Sequence, residues 1–334
     1  MSRNSGENKA TKLAKSVNEL FEKHGRKAFE MAKKVTLTQA IKYKPVLGAI
    51  RYFIEESWYG VQHSSLISLT CEAVGGKGED AIQIGAAMVL LGGAVDIHDD
   101  IIDKSKTKGS KLTVLGKFGE DLALLTGDAL LFKGLTLLHE GSKKLSAKKR
   151  RMIIDLTEQA FFELGSAEAK EIEYRGKLDL SPKEYFEIIE MKASIVEAQA
   201  KIGAVIGGGT QTEIDALGQY GRTLGILTTI RDDFIDMFEP DELMNRFRNE
   251  CLPVPLLFAL QNKKIKDEII PILQKQEITE EQAYALAELV YKARKVQNLR
   301  KKLDLLMKET LEALSFIKVH EKLELILHAA MEDL

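Results

Sequence analysis

The chain has 334 residues, 45% of them hydrophobic, which is enough to bury a sizeable core. Its 48 lysines and arginines nearly balance its 50 aspartates and glutamates, and the net charge of -2 excludes a general attraction to nucleic acid or to anionic lipid. Two well-separated cysteines, Cys71 and Cys251, and the lack of a secretory pattern lead us to expect a cytoplasmic protein without disulfides.

Apolar residues recur every three to four positions in nearly every long segment, which is typical of amphipathic α-helices. No segment shows the sustained alternation of a half-buried strand. The sequence predicts about ten helices in a single all-α domain over residues 1–334, beginning with a lysine-rich amphipathic helix at residues 1–35. The longest apolar run, residues 81–95, is shorter than the ~20 residues of a membrane span, so we expect no transmembrane segment.

Helix boundaries are indicated by glycine-rich or charged breaks and by capping boxes. Breaks are predicted at 75–78, 104–111, near 176, at 207–209 and at 238–255. Ser181 and Thr279 each precede a Glu or Gln by three residues and therefore predict helix starts. The apolar stripe from Leu286 to Leu306 predicts one long C-terminal helix.

The first cluster of acidic residues follows the longest apolar run, in the stretch VDIHDDIIDKSKTK at residues 95–108. On a helix, Asp99, Asp100 and Asp103 are expected to project from roughly the same side. Their repulsion, together with the partial negative charge of a helix C-terminus, calls for a cation from outside. Oxygen ligands of this kind suit Mg²⁺. Asp96 is an additional acid, to which the sequence assigns at most a supporting role as a hydrogen-bond acceptor.

A second cluster, RDDFID at residues 231–236, follows another apolar segment and contains Asp232, Asp233 and Asp236. A single acidic triplet is usually just a solvated helix end. Two triplets that both follow core-facing helices predict instead that they face each other across a cavity and hold several magnesium ions around a diphosphate.

Six short motifs, in this order along the chain, carry a resemblance to a known family. They are CEAVGG at 71–76, IHDDIID at 97–103, KFG at 117–119, GDALL at 127–131, MKAS at 191–194 and RDDFID at 231–236. The chain thereby resembles the trans-isoprenyl diphosphate synthases, or polyprenyl synthetases, which have the class I isoprenoid synthase fold. The resemblance implies a helical bundle around a central cavity and a homodimer.

The resemblance also implies roles for particular residues. The six aspartates would bind Mg²⁺, three ions with the bound diphosphate, and hold an allylic prenyl diphosphate that Lys192 also contacts. Met88, Leu91, Ala94 and Val95, on the helix before the first cluster, would line the pocket for the prenyl chain. Because none of the four is a blocking aromatic residue, the resemblance implies a product of twenty carbons or more.

The site of the second substrate, isopentenyl diphosphate, departs from the family pattern. The family's GKRxRP motif falls on YGVQHS at 59–64, where His63 stands at the last arginine. A family histidine falls on Gly92, and an RRG motif falls on residues 108–110. Basic residues near the two clusters are candidate replacements that would bind substrate: Lys108, Lys111, Arg231 and Arg246.

Three functions therefore remain open at the level of sequence. The chain could elongate a prenyl diphosphate with an isopentenyl site built differently. It could ionise an allylic diphosphate and then cyclise it, eliminate a proton, or transfer the prenyl group to an acceptor without a diphosphate. It could also be a non-catalytic regulatory subunit of a prenyl synthase. The retention of six mutually repelling carboxylates favours an enzyme.

Overall fold

The structure is a computed structural model that describes residues 3–109 and 111–332, with side chains described from residue 12 onward. These residues form sixteen α-helices and a short hairpin, which confirms the predicted all-α class. Residues 1 and 2 of the predicted N-terminal helix, and Ser110, lie outside the described residues. The helices are α1 (Arg3–Leu37), α2 (Lys44–Tyr52), α3 (Val61–Ala73), α4 (Ile82–Ile102), α5 (Val114–Phe118), α6 (Glu120–Ser142), α7 (Ala147–Tyr174), α8 (Pro182–Lys192), α9 (Ser194–Gly207), α10 (Gln211–Asp236), α11 (Pro240–Asn249), α12 (Val254–Leu260), α13 (Lys263–Leu273), α14 (Glu280–Lys292), α15 (Arg294–Leu314) and α16 (Glu321–Met331).

Two shorter helical turns and two short strands complete the described structure. A π-helical turn, Phe53–Ser57, follows α2, and a 3₁₀ turn, Gly78–Ala81, leads into α4. Strands β1 (Thr107–Lys108) and β2 (Lys111–Leu112) pair antiparallel between α4 and α5. The hairpin therefore begins a few residues after the first aspartate cluster and lies close to it.

The apolar helices α4 and α9 organise the interior. α4 packs against α1, α3 and α6, whereas α9 packs against α3, α7 and α10. α3 and α9 approach closely because Gly203 and Gly207 of α9 have no side chain. A β-carbon at either position would collide with the backbone of α3. Through α3 and α9, the packing connects α4 to α10, the two helices whose C-terminal ends carry the aspartates.

Two helical segments, Gly78–Ile102 and Glu120–Ser142, are long and apolar enough to cross a membrane, judged by length and composition alone. Within the fold, 67% of the apolar window of the first segment and 39% of that of the second are buried. Core helices pass the same test, so two such segments are weak evidence for a membrane span. The expectation of no transmembrane segment stays a prediction.

The predicted helix boundaries are confirmed at the capping boxes, where Ser181 and Thr279 begin α8 and α14. Two boundary predictions are wrong. The segment 238–255, interpreted as a break, contains α11. The single C-terminal helix is two helices, because Ala293 is extended, with φ -64° and ψ 129°, between α14 and α15. The apolar stripe continues across Ala293, so its spacing contains no sign of this break.

Candidate active site

The first aspartate cluster, at the end of α4, divides into two pairs of carboxylates. Asp96 and Asp100 both bind Lys108, whose Nζ lies 2.8 Å from Asp96 Oδ1 and 2.9 Å from Asp100 Oδ1. Asp99 and Asp103 are also one turn apart and lie near each other, and Asp103 Oδ1 lies 3.4 Å from Arg175 Nη2. Asp100 thus pairs with Lys108, whereas Asp103 pairs with Arg175, in keeping with the rotation of about 100° between consecutive helical residues. The assignment of all three aspartates to one metal site stays a prediction.

Lys108 reaches the aspartates from the β1–β2 hairpin. Hydrogen bonds join this hairpin to α2 and to the π-helical turn that follows α2. The Tyr52 hydroxyl donates a hydrogen bond of 2.7 Å to the Leu112 carbonyl oxygen. Lys111 Nζ donates one of 2.8 Å to the Glu56 carbonyl oxygen. Lys111, predicted to bind substrate, thus holds the hairpin in place, and Lys108 pairs with two carboxylates.

Lys192, at the end of α8, is surrounded by carboxylates. Its Nζ lies 3.2 Å from Glu168 Oε1 and also contacts Glu171, both on α7. Burial acts to lower the pKa of Lys192, but the charges of Glu171, Asp99 and Glu168 outweigh it and raise the pKa well above its ordinary value. Lys192 is therefore a fixed positive charge close to Asp99.

Carboxylates crowd the region around Asp99 and Asp103. Burial raises the pKa of Asp103 to about 8, and the charges of Asp99 and Glu250 add to the rise. Burial also raises the pKa of Glu168 to about 7, and Glu168 Oε2 is buried without a hydrogen-bond partner. Buried carboxylates that repel one another need additional positive charge to remain ionised. Arg175 Nη2 lies 3.4 Å from Asp103 Oδ1 and compensates part of this charge. Around Asp99 and Asp103 the carboxylates still outnumber the cations that contact them.

The second cluster, at the end of α10, has a cation of its own. Arg246 of α11 donates a hydrogen bond of 2.8 Å to Asp236 Oδ2 and forms an ion pair with Asp233, with its Nη2 2.8 Å from Asp233 Oδ1. Asp233 is only 1% exposed, and its other oxygen accepts a 2.7 Å hydrogen bond from the backbone N–H of Val254. Asp233 is thus fully engaged within the protein, whereas its neighbour Asp232 is exposed.

Further donors of Arg246 bind the Tyr185 hydroxyl at 2.7 Å and the Cys251 carbonyl oxygen at 3.2 Å. Arg246 was predicted to bind substrate, but its guanidinium would have to give up these bonds to reach one. The geometry makes it a residue that positions the second cluster. Arg231, the other predicted arginine, lines a large cavity together with Asp232.

Helix α11 contacts both clusters. Asn245 Nδ2 lies 3.4 Å from the carbonyl oxygen of Asp103 and donates a 2.7 Å hydrogen bond to Glu250 Oε1. The next residue, Arg246, binds Asp233 and Asp236 of the second cluster. The ends of α4 and α10 therefore border one polar region.

A cavity of about 80 Å³ lies beside α4. Met88, Leu91 and Val95 line it, as expected for residues on the stripe that leads to Asp99. The assignment of Ala94 to this pocket is wrong, since Ala94 is buried but does not line the cavity. The remaining wall comes from α3, α7, α9 and Gly92 of α4: His63, Gly92, Thr157, Ala160, Phe161, Ile195, Ala198, Gln199 and Ile202.

A second cavity, of about 800 Å³, lies among α1, α3, α9, α10 and α16. Its polar wall includes Tyr59, Gln62 and His63, from the segment where the family's GKRxRP motif falls, and Asp232 from the second cluster. Gly92 faces the His63 ring, because a β-carbon on Gly92 would lie 3.0 Å from His63 Nε2. The His63 imidazole of α3 therefore lies next to Gly92 of α4, the position on which the family histidine falls.

Sequence reasoning missed several residues of the polar region. Glu168 and Glu171 contact Lys192, Tyr185 binds Arg246, and Glu250 adds its charge next to Asp103. Two glutamates three residues apart on a charged helix are common, so their spacing alone contains no sign of a site. The capping box at Ser181 fixes the start of α8 and could have indicated which face of that helix carries Tyr185 and Lys192.

The residues of the first cluster fit a hard divalent cation. Asp99 and Asp103 supply carboxylate oxygens, and the neighbouring Glu168 has a buried oxygen without a partner. Among the described residues, no three Asp, Glu, His or Cys side chains converge on one metal position. This is compatible with Mg²⁺, which typically takes one or two carboxylates and completes its shell with water and phosphate oxygens.

The chain is similar to a known protein family and to several curated proteins. Residues 63–290 match the family model described as polyprenyl synthetase. The chain is 32% identical over 184 residues to the short chain isoprenyl diphosphate synthase of Methanothermobacter thermautotrophicus, covering 54% of this chain and 55% of that protein. It is 30% identical over 207 residues to the geranylgeranyl diphosphate synthase of Methanosarcina mazei, covering 61% of this chain and 62% of that protein.

The fold also matches solved structures over nearly the whole chain. The crystal structure of geranylgeranyl pyrophosphate synthetase from Pyrococcus horikoshii superimposes with a TM-score of 0.81 at 24% identity, covering 94% of this chain and 98% of that one. At this identity the match concerns the fold alone. The sequence alignments above span less than two thirds of the length of the two curated relatives.

Proposed function

Because this chain belongs to the polyprenyl synthetase family, we propose that it is a magnesium-dependent prenyltransferase that extends an allylic prenyl diphosphate with isopentenyl diphosphate. The product would have twenty carbons or more. The observation that carries the proposal is the polar region between the ends of α4 and α10, with Lys192 beside Asp99 and an apolar cavity along the same stripe of α4. The names of the curated relatives support the same chemistry.

The reaction breaks the allylic carbon–oxygen bond, joins the freed carbon to the terminal alkene carbon of isopentenyl diphosphate, and releases diphosphate and a proton. Asp99, Asp103, Asp232 and Asp236 would hold Mg²⁺ in our proposal. Bound magnesium supplies positive charge where the leaving diphosphate develops negative charge. Lys192 adds its ammonium group on the side of Asp99.

Two of the predicted metal ligands take a different part in this proposal. Asp233 holds Arg246, and Asp100 binds Lys108, so each positions its neighbours instead of meeting the metal directly. The apolar cavity lined by Met88, Leu91 and Val95 accepts the prenyl chain and keeps water from the allylic cation.

We further propose that the protein acts as a homodimer. One side of α6 exposes large apolar residues, with Phe132 at 72%, Leu125 at 52% and Leu124 at 49% exposure, and Phe162 of α7 is also 72% exposed. Large apolar residues exposed on one side of a helix favour a cover, and a second copy of the chain would meet them with an equally apolar surface. Light scattering should give twice the chain mass of 37.3 kDa, and Phe132→Glu should halve it.

The function is tested by product analysis with a matched pair of variants. Purified protein incubated with Mg²⁺, a fifteen-carbon allylic diphosphate and isopentenyl diphosphate should yield prenyl diphosphates of twenty carbons or more, as identified by mass spectrometry. Val95→Phe places a ring in the cavity and should shorten the product, whereas Ala94→Phe, on the adjacent face of α4, should not. The absence of any elongated product from the unmodified protein would refute the proposed function.

A further inference from the structure

The small net charge of the whole chain conceals an uneven distribution of charge along it. Residues 1–52, which end with α2, contain 12 lysines and arginines but only four acidic residues. The other 282 residues contain 36 lysines and arginines and 46 acidic residues. The first two helices are therefore strongly basic, whereas the rest of the chain is acidic.

The basic residues of α1 lie on the side of this helix that points away from the protein. The opposite side is buried, with Val17, Phe29 and Ala32 in the core, and α1 packs against α3 and α4. At about 100° per residue, the exposed cations fall within an arc of about 120° and along about 33 Å of helix. They are Lys12, Lys15, Lys23, Arg26, Lys27 and Lys34, which together form the outer basic face of α1.

Carboxylates compensate this outer basic face only in part. Lys15 pairs with Glu19 at 3.9 Å and Lys27 pairs with Glu79 at 2.8 Å, but all four side chains are at least 70% exposed, and such pairs are weak. Within the described part of the chain, the other four cations have no ion-pair partner. Glu30 is the second acidic residue, with Glu19, in the same exposed arc. Six cations and two carboxylates leave the face with a clear excess of positive charge.

The segment between α1 and α2 adds two more cations and an aromatic ring. Lys42 and Lys44 are exposed, and Tyr43 between them is 65% exposed. Tyrosine is enriched where proteins meet the interface of a lipid bilayer, because its ring lies at the level of the headgroups. A single helix that presents cations on its outer side also forms no groove of the kind that tracks a nucleic-acid strand. These features favour a lipid surface over a nucleic acid as the partner of α1.

We propose that the outer basic face of α1 docks the protein on a lipid surface with anionic headgroups. A row of cations about 33 Å long can meet a flat negative surface along its whole length. Because the apolar side of α1 is buried in the core, the helix lies on this surface through charge and does not insert into it. The inference goes beyond the proposed function, and it fits that function because a prenyl diphosphate of twenty carbons or more is an amphiphile that partitions into bilayers.

The test measures co-sedimentation of the full chain with vesicles, without any substrate. The protein should bind vesicles of equal parts phosphatidylglycerol and phosphatidylcholine in about 0.1 M salt, should be released in about 1 M salt, and should not bind phosphatidylcholine alone. The triple variant Lys23→Gln, Arg26→Gln and Lys34→Gln should bind about a hundredfold more weakly, since each cation near an anionic membrane contributes about a factor of five.

The matched control replaces three exposed lysines of α15, as Lys301→Gln, Lys302→Gln and Lys308→Gln, with the same change in net charge. It should bind as the unmodified protein does. Equal weakening of both triple variants would reveal a general charge effect and overturn the proposal. No weakening of the α1 variant, or no binding of the unmodified protein to the anionic vesicles, would also overturn it. Thermal melting checks that both variants fold.

A further arm offers duplex DNA at the same salt and the same concentration of phosphate groups. Weaker binding to DNA than to the anionic vesicles is expected, and equal or tighter binding would favour a nucleic-acid partner and overturn the proposal. Vesicle binding is measured without allylic or isopentenyl diphosphate. Its failure is therefore distinguishable from failure of the proposed function, in which the unmodified protein makes no elongated product.

Discussion

The two aspartate clusters have nearly the same sequence pattern but differ in how completely the protein compensates their charge. At the end of α10, Arg246 binds both Asp233 and Asp236 at 2.8 Å, so the second cluster is compensated within the protein. At the end of α4, Asp99 and Asp103 lie among further carboxylates, and burial raises the pKa of Asp103 to about 8. The comparison teaches that one buried arginine fixes Asp233 and Asp236 within the fold, whereas Asp99 and Asp103 face more carboxylates than cations, which is why we propose that a metal ion matters most at the first cluster.

Replacing Asp99 should have the largest effect and should act on catalysis alone. We expect Asp99→Asn to lower kcat by about a thousandfold, the upper range for losing one preorganised electrostatic contact. The variant removes a repelling charge, so its melting temperature should not fall. Steady-state kinetics and thermal melting check both parts. A stable, fully active variant would refute the role of the first cluster.

Replacing Asp233 should instead cost stability, because it leaves Arg246 buried with one carboxylate fewer. Breaking a buried ion pair from one side typically costs about 3–5 kcal/mol, and the remaining bond to Asp236 favours the lower end for Asp233→Asn. Denaturant unfolding measures the loss. The control is Asp232→Asn, whose exposed carboxylate should affect turnover without a comparable loss of stability. Equal stability of the two variants would contradict the comparison.

Binding of Mg²⁺ with inorganic diphosphate should stabilise the protein through the first cluster. At one hundred times the dissociation constant the gain is about 2.7 kcal/mol in the free energy of unfolding. The gain should be lost in Asp99→Asn but kept in Asp100→Asn, since Asp100 binds Lys108. Thermal melting with and without the two ions measures it. If both variants lose this stabilisation, Asp100 is a metal ligand as well, contrary to our proposal.

The smallest effect is expected at Asp96, which holds Lys108 together with Asp100. Lys108 is about half exposed, so Asp96→Asn should cost roughly 0.5–1 kcal/mol of stability. Lys108→Met should cost more, because it also takes the cation from the buried Asp100. The double variant should cost less than the sum because Asp96 and Lys108 share one interaction. Additive losses, measured by denaturant unfolding, would show that Asp96 acts elsewhere.

Much of this site could be predicted from sequence because its chemistry is concentrated in short motifs on regular helices. The sequence singled out the aspartates, Lys192 and four pocket residues, and in the structure three of those four line one cavity while Lys192 lies close to Asp99. The direction of a side chain was harder to predict, since Asp100 and Ala94 each point about 100° away from a neighbour that faces the site.

Contacts between distant segments could not be predicted from spacing at all. Arg246 lies in a segment interpreted as a break, and its partners Tyr185 and Asp233 come from two other helices or their ends. His63 lies against Gly92 only because α3 and α4 pack together. The break at Ala293 is likewise absent from the apolar spacing, which continues through it.

The most direct test of the whole account is the dependence of diphosphate release on the second substrate. Purified protein with Mg²⁺ and a fifteen-carbon allylic diphosphate should release diphosphate only when isopentenyl diphosphate is present, with one diphosphate released for each five-carbon unit added. Equal release from the allylic diphosphate alone, without an elongated product, would contradict chain elongation and favour cyclisation, elimination or transfer to another acceptor.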